Sequence, residues 1–407
     1  MWTGVHTTGI SDNSNLQAQN ENIASDGAIK LVSCIWLRRL REAMTKTAPN
    51  PVEKTYALPP PHLSSKTFHI AGILATVFGL DELPPNTKET ACLWLLHPRL
   101  QTQACMQPFA ASTIANWNER IREGRAAPKQ PPKGLIAVSF DQRNHGTREV
   151  DRLANEAWRS GNPRHALDMF SQIHGTAADT SILLDYLAAY IFPEKDSTEI
   201  TQNLVFGISL GGHAAWQVLL QDSRITTGII GIGCPDYTRL MMDRARLSKI
   251  ADWDPNDPNS FLSSKSFTRT LRAAVERYDP AGLIMGQLEG ATFGDQLHEP
   301  SDYEKEKISR VLDRTLRGKR ILLLSGGADK LVPYKCGEPF LTFLKKAIRT
   351  YYEQGDVALE DFVFDGVGHE ISPDMVKELI RFVDESLGVS VKGSAEMLGE
   401  VTQSSKI

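Results

Sequence analysis

The chain is short of the features that mark several large classes of protein. No apolar run approaches the ~20 residues that a membrane-spanning helix needs. Its five cysteines, Cys34, Cys92, Cys105, Cys234 and Cys336, are scattered without CxxC spacing. Neither a disulfide framework nor a zinc site follows, and a reducing interior is expected. There is no H-E-x-x-H, and His62, His69, His165, His174 and His298 share no metal-ligand spacing. Neither G-x-x-x-x-G-K-[ST] nor a strand-linked G-x-G-x-x-G occurs, so no nucleotide cofactor is expected. The net charge of −4 gives no bias toward nucleic acid. Repeats of 20–50 residues are absent, which removes solenoids and propellers. The first thirty residues are polar and carry Asp12, Glu21 and Asp26, which argues against a secretory signal or transit peptide.

What is present is enough apolar material, 41% of 407 residues, to bury a full core. Residues 1–30 read as a flexible tail, 31–65 as an amphipathic extension with a basic face at Arg38, Arg39 and Arg41, and 389–407 as a second tail. Between them, short apolar segments alternate with helical patterns. Strands are expected at Phe68–Val77 (a pair), Ala91–Leu96, Gly134–Phe140, Asn203–Gly207, Thr227–Gly231, Arg320–Leu324 and Leu359–Asp365. Helices are expected at Pro108–Gly124, Ala178–Ile191, Gly212–Gln221, Glu338–Gln354 and Pro373–Leu387. Continuous runs such as "LIAVSF" and "ILLL" fit strands buried on both faces, hence a mostly parallel sheet covered by helices. Residues 237–318 contain helix-like stretches and no clear strand, so they read as a helical cap inserted between two strands.

The central signal is "NLVFGISLGGHAAW", residues 203–216. Gly207-Ile208-Ser209-Leu210-Gly211 matches G-x-S-x-G, in which a serine sits on a sharp strand-to-helix turn. Small residues two positions away are needed because a Cβ there would clash. The five-residue match is weak alone, since glycine and serine are common here. The apolar strand before it and the helix after it supply the required context. A hydroxyl needs a base, and the base an orienting acid. Downstream, "ILLLSGGADKLVP" places Asp329 just beyond a strand, and "FVFDGVGHEISPDM" places His369 before the last helix. Asp236 in "GCPDY" is a second candidate acid. His213, behind Ser209, reads as a packing residue.

These motifs resemble the α/β-hydrolase superfamily over residues 66–388, of the esterase/lipase type. The resemblance implies a triad of Ser209, Asp329 and His369. "LWLLHPRL" (93–100) is similar to the strand and "His-Gly" stretch that supplies an oxyanion donor. It makes Leu210 and Arg99 the two N–H donors, with Pro98 departing from the usual glycine. "SFDQRNHGTR" (139–148) resembles a loop that braces the serine turn, so Asp141, Arg143 and His145 are expected to be structural, with His145 an alternative base. The C-terminal Ser405-Lys406-Ile407 resembles the S-K-L peroxisomal address and implies an import receptor as partner. In class and tail the chain is similar to the peroxisomal esterase-lipase proteins of fungal (Alternaria) host-selective toxin clusters, which make decatrienoic-acid-type toxins. The expectation is a serine hydrolase of carboxylic esters or thioesters, needing no cofactor or metal. An acyltransferase with the same triad and a non-catalytic binding protein are the alternatives. Phe261, Leu262, Leu283, Ile284, Met285 and Phe293 could line an acyl pocket in the insertion or simply pack it onto the sheet.

Overall fold

A computed structural model describes residues 50–57, 59–126, 132–194, 198–290 and 298–388. The expectations for the 1–30 tail, for most of 31–65, for Phe293 and for 389–407 with Ser405-Lys406-Ile407 fall outside these residues.

Eight strands form one sheet: β1 (Ser65–Ile70), β2 (Ile73–Phe78), β3 (Glu89–Leu96), β4 (Gly134–Phe140), β5 (Glu199–Ile208), β6 (Ile225–Gly231), β7 (Arg320–Gly326) and β8 (Ala358–Phe364). Their spatial order is β1-β2-β4-β3-β5-β6-β7-β8. β1 and β2 form an antiparallel hairpin, β2 meets β4 antiparallel, and all later pairings are parallel. Six strands therefore end on the same edge, where open α/β sheets collect functional groups. β4 is buried at every position, as its unbroken apolar sequence requires. β8 lies at the sheet margin and is half-exposed throughout.

Nine helices cover the sheet among the described residues: α1 (Gln107–Arg122), α2 (His165–Ile191), α3 (Leu210–Gln221), α4 (Tyr237–Ser248), α5 (Arg269–Tyr278), α6 (Pro280–Met285), α7 (Asp302–Thr315), α8 (Tyr334–Thr350) and α9 (Pro373–Gly388). α1 and α9 pack on one face, around Phe109, Trp117, Phe206 and Phe382. α2, α3 and α8 pack on the other, around Trp94, Phe170, Trp216 and Phe340. The described residues of the insertion form helices and no strand. Its α6 and α7 lie against α3, and α5 lies against α2. This outer layer explains why α3 is buried from Leu210 to Leu220: a helix apolar all round needs cover on every side.

Phe261, Leu262, Ile284 and Met285 are buried in that same core, and Leu283 packs against it. Core packing accounts for their apolar character without an acyl pocket.

Residues 50–57 belong to no helix or strand, yet they are anchored. The Ile371 N–H donates to Pro51 O at 2.8 Å, and the Thr55 hydroxyl donates to Ile371 O at 2.9 Å.

Candidate active site

Ser209 occupies the turn between β5 and α3 with φ 55° and ψ −111°, a strained conformation for a residue with a side chain. The strain is held by packing on both sides. A Cβ on Gly207 would fall 1.9 Å from Gly211 O, and one on Gly211 would fall 2.0 Å from Leu96 O. Only glycine fits either position. The Ser209 N–H donates to Gly231 O at 2.9 Å, which ties the turn to β6.

Asp329 and His369 come from the loops after β7 and β8, at the same sheet edge. Backbone bonds lace the two loops together: Gly327 N–H to Phe364 O at 2.8 Å and Ala328 N–H to Val367 O at 2.9 Å. The result is one continuous hydrogen-bonded line. Ser209 Oγ lies 2.9 Å from His369 Nε2, and His369 Nδ1 lies 2.7 Å from Asp329 Oδ2. Asp329 Oδ1 accepts the N–H groups of Leu331 (2.8 Å) and Val332 (2.9 Å). Burial works to raise the Asp329 pKa. The hydrogen bond and charge of His369, with those two N–H groups, outweigh it and hold the carboxyl below its ordinary value. The ionised Asp329 accepts from Nδ1–H, leaving Nε2 free to take the serine proton.

The chain has the α/β-hydrolase fold. Strand order, the serine turn and the loops that carry the acid and base all belong to it. No protein-family model and no curated protein sequence matches the chain. Among solved structures it is similar to TT1662 from Thermus thermophilus, at 18% identity and a TM-score of 0.47, over 81% of this chain and 100% of that one. It is similar also to an S-formylglutathione hydrolase from Agrobacterium tumefaciens, at 18% identity and a TM-score of 0.45, over 83% and 99%. A cold-adapted esterase from an Arctic intertidal metagenomic library matches at 13% identity and a TM-score of 0.40, over 82% and 97%.

Of the two expected oxyanion donors, Leu210 directly follows Ser209 and Arg99 lies in the loop after β3, the strand beside β5. Leu210 opens α3, so its N–H has no acceptor within the helix. Arg99 is the second residue of a turn closed by Gln101 N–H to Pro98 O at 3.3 Å, with Leu100 at φ 63°. That turn leaves the Arg99 N–H unused. Pro98 is accommodated because the loop is held elsewhere. His97 Nδ1 lies 2.8 Å from Pro98 O, and the Gln142 N–H donates to His97 Nε2 at 2.9 Å. The Gln142 side chain also donates to His97 O. These bonds fix a neutral imidazole with its proton on Nδ1. Burial and the neighbouring His145 push its pKa down to about 4.

The other sequence candidates lie apart from this line. Asp236 caps α4, accepting the Arg239 N–H at 2.9 Å, and burial raises its pKa to about 6. It does not touch His369. His213 is buried, with Nδ1 2.9 Å from Cys234 O, and burial lowers its pKa to about 3. Asp141 accepts the N–H groups of Gln103 and Thr147, both at 2.8 Å. Arg143 grips Asp179 with two N–H groups at 2.9 and 3.0 Å. His145 Nδ1 lies 3.0 Å from Arg143 O. All three brace the loop after β4.

Sequence reasoning missed Arg244 and gave His165 no role. Arg244 donates to Leu331 O from Nε (3.3 Å) and Nη2 (3.0 Å), on the same loop that carries Asp329. Its Nη1 lies 3.2 Å from His165 Nε2. The signal was present in "YTRLMMDRARL": Arg244 falls at helical spacing from buried Tyr237, Leu240 and Met241, so a cation sits beside the inward face. Among the described residues, no group of three or more His, Cys, Asp or Glu side chains is placed to hold a metal ion. No described helix is long and apolar enough to cross a membrane.

Proposed function

We propose that the protein is a serine hydrolase that cleaves a carboxylic ester or thioester through an acyl-enzyme at Ser209. The observation that carries this reading is the unbroken line from Ser209 Oγ through His369 to Asp329, at 2.9 and 2.7 Å. Ser209 Oγ attacks the carbonyl carbon as its proton passes to His369 Nε2. The oxyanion is received by the N–H groups of Leu210 and Arg99. Collapse expels the alcohol or thiol, which takes the proton back from Nε2. Water then attacks the acyl-enzyme, gives a proton to Nε2, and releases the acid as that proton returns to Ser209. On the C-terminal tripeptide and the resemblance in class, the reading extends to peroxisomal import and to a step in fungal toxin biosynthesis.

A fluorophosphonate probe tests the chemistry. It should label the wild-type protein and leave S209A unlabelled at an unchanged Tm. Equal labelling of S209A would overturn the assignment.

A further inference from the structure

Near the loop of Asp329 stands the Arg244 guanidinium, and within reach of its charge the Arg99 guanidinium, neither with a counter-ion in contact. Most half-buried arginines among the described residues have one: Arg148 reaches Asp179 at 2.9 Å, and Arg239 reaches Asp236 at 3.1 Å. Arg99 and Arg244 are half-buried. Among the described residues, no carboxylate oxygen lies within 4.0 Å of either. Every acceptor they have is neutral. Arg99 Nη1 donates to Asn155 O. Arg244 donates to Leu331 O, to His165 Nε2 and to Met169 Sδ at 3.1 Å.

The two cations are joined through one short path. Asn155, whose carbonyl takes Arg99, is followed by Glu156, whose carbonyl lies 2.9 Å from His165 Nδ1. His165 Nε2 in turn faces Arg244. With Nδ1–H donating to that carbonyl and Nε2 accepting from Arg244, His165 is neutral. Burial and both guanidiniums push its pKa well down. Arg99 is pushed down to about 10, first by burial and then by the charge of Arg244, against a smaller opposing pull from Glu156. Each cation thus raises the energy of the other, and the carboxylates that act on them, Glu156 on Arg99 and Asp329 on Arg244, do so without a salt-bridge contact. Buried charges are normally paired.

Arg244 adjoins the loop that carries Asp329, and Arg99 lies within reach of the charge of Arg244. Arg99 carries the expected oxyanion N–H on its own backbone. Arg244 holds Leu331 O, while the Leu331 N–H holds the Asp329 carboxylate. We propose that Arg99 and Arg244 form an anion subsite beside the triad, so that the ester or thioester cleaved at Ser209 carries a carboxylate or similar anion. Arg99 spends one guanidinium nitrogen on Asn155 O, while Arg244 is held by Leu331, His165 and Met169; a forked donor backed by a second cation suits a carboxylate, which takes paired N–H donors. The inference rests on the hydrolase reading and narrows its substrate class.

Two matched pairs of esters locate the charge. 4-Nitrophenyl hemiglutarate against 4-nitrophenyl valerate places it on the acyl side. 3-Carboxy-4-nitrophenyl valerate against 4-nitrophenyl valerate places it on the leaving group. In one arm, the wild-type kcat/KM should favour the anionic ester at least tenfold, mainly through KM, and added salt should weaken the preference. R244M should collapse that ratio, and R244K should keep part of it. Equal rates in both arms, or a preference that R244M leaves unchanged, would overturn the subsite. The wild-type comparison needs no variant, so it stands even if R244M misfolds. Turnover of valerate without any anionic preference would leave the hydrolase reading intact and remove this one. If no ester is turned over, the hydrolase reading falls and binding decides the subsite. Glutarate should then raise the Tm of wild type and S209A but not of R244M, and a flat Tm in all three refutes it.

Discussion

Replacing Asp329 with asparagine changes one atom of the side chain and should nearly silence the enzyme. Asp329 Oδ1 is fixed by the N–H groups of Leu331 and Val332 at 2.8 and 2.9 Å, while Oδ2 faces His369 Nδ1 at 2.7 Å. An asparagine keeps its oxygen toward the two N–H donors. The flipped orientation would set its NH₂ against them, losing two hydrogen bonds at about 1–3 kcal/mol each. Its NH₂ therefore points at His369 Nδ1, which must become an acceptor. The imidazole proton moves to Nε2, which faces Ser209 Oγ and can no longer take its proton. A forced tautomer of this kind lowers kcat by about 10⁴ in serine proteases, which corresponds to about 5 kcal/mol of barrier. Because the backbone bonds to the side chain survive, stability should change little. Single-turnover kinetics on a neutral aryl ester, with Tm measured in parallel, checks both expectations. A folded D329N within tenfold of wild-type kcat would refute the argument. D236N is the contrast: it weakens the cap of α4, so it should lower Tm and leave kcat within a few-fold.

Acid should destabilise the fold through its buried neutral histidines. The unfolded chain protonates His97 near pH 6.5 and the folded chain only near pH 4. Between these values the unfolded state binds more protons, so stability is full above about pH 6.5 and is lost as pH falls toward 4. His97 alone contributes a loss of about 3 kcal/mol, and a Tm flat from pH 7 to 4.5 would contradict this. Ile284 is buried between the insertion and the main core, so I284A should cost about 2–5 kcal/mol of stability and leave the C4-to-C8 ester ratio unchanged. A shifted ratio would return this residue to the substrate pocket. A fluorescent protein ending in residues 389–407 should enter fungal peroxisomes and stay diffuse once Ser405-Lys406-Ile407 are removed. Diffuse fluorescence with the tail intact would refute the address.

The parts of this molecule that were legible in the sequence are those fixed by local rules. Central strands such as β3, β4 and β7 announce themselves as apolar runs, and Gly207, Ser209 and Gly211 announce a turn that excludes side chains on both flanks. Asp329 and His369 could be placed because each follows a strand directly. The choice of Asp329 over Asp236 depended on which loop packs beside that of His369, a tertiary fact. Half of α2 was missed because Gly175 interrupts the helical pattern. A Cβ there would lie 2.4 Å from Arg143 Cδ, so the glycine serves a neighbour rather than the helix. The apolar character of Phe261 and Ile284 was plain in the sequence, but not whether they face a substrate or the core. Arg244 escaped notice for a related reason. Its meaning depends on Leu331 and His165, 87 and 79 positions away in the chain.

The clasp between residues 50–57 and Ile371 gives the general base an unusual dependence. The loop of His369 is held on one side by the loop of Asp329 and, two residues on at Ile371, by Thr55, 316 positions distant in a stretch with no regular structure of its own. Freedom removed from the imidazole is freedom removed by Pro51 and Thr55, neither of which meets the reacting carbonyl. A single proteolytic nick between Tyr56 and β1 would spare all eight strands, yet it would turn an intramolecular clasp into a weak bimolecular one. Under the proposed mechanism, activity would therefore depend on an uncut backbone as well as on three well-placed side chains.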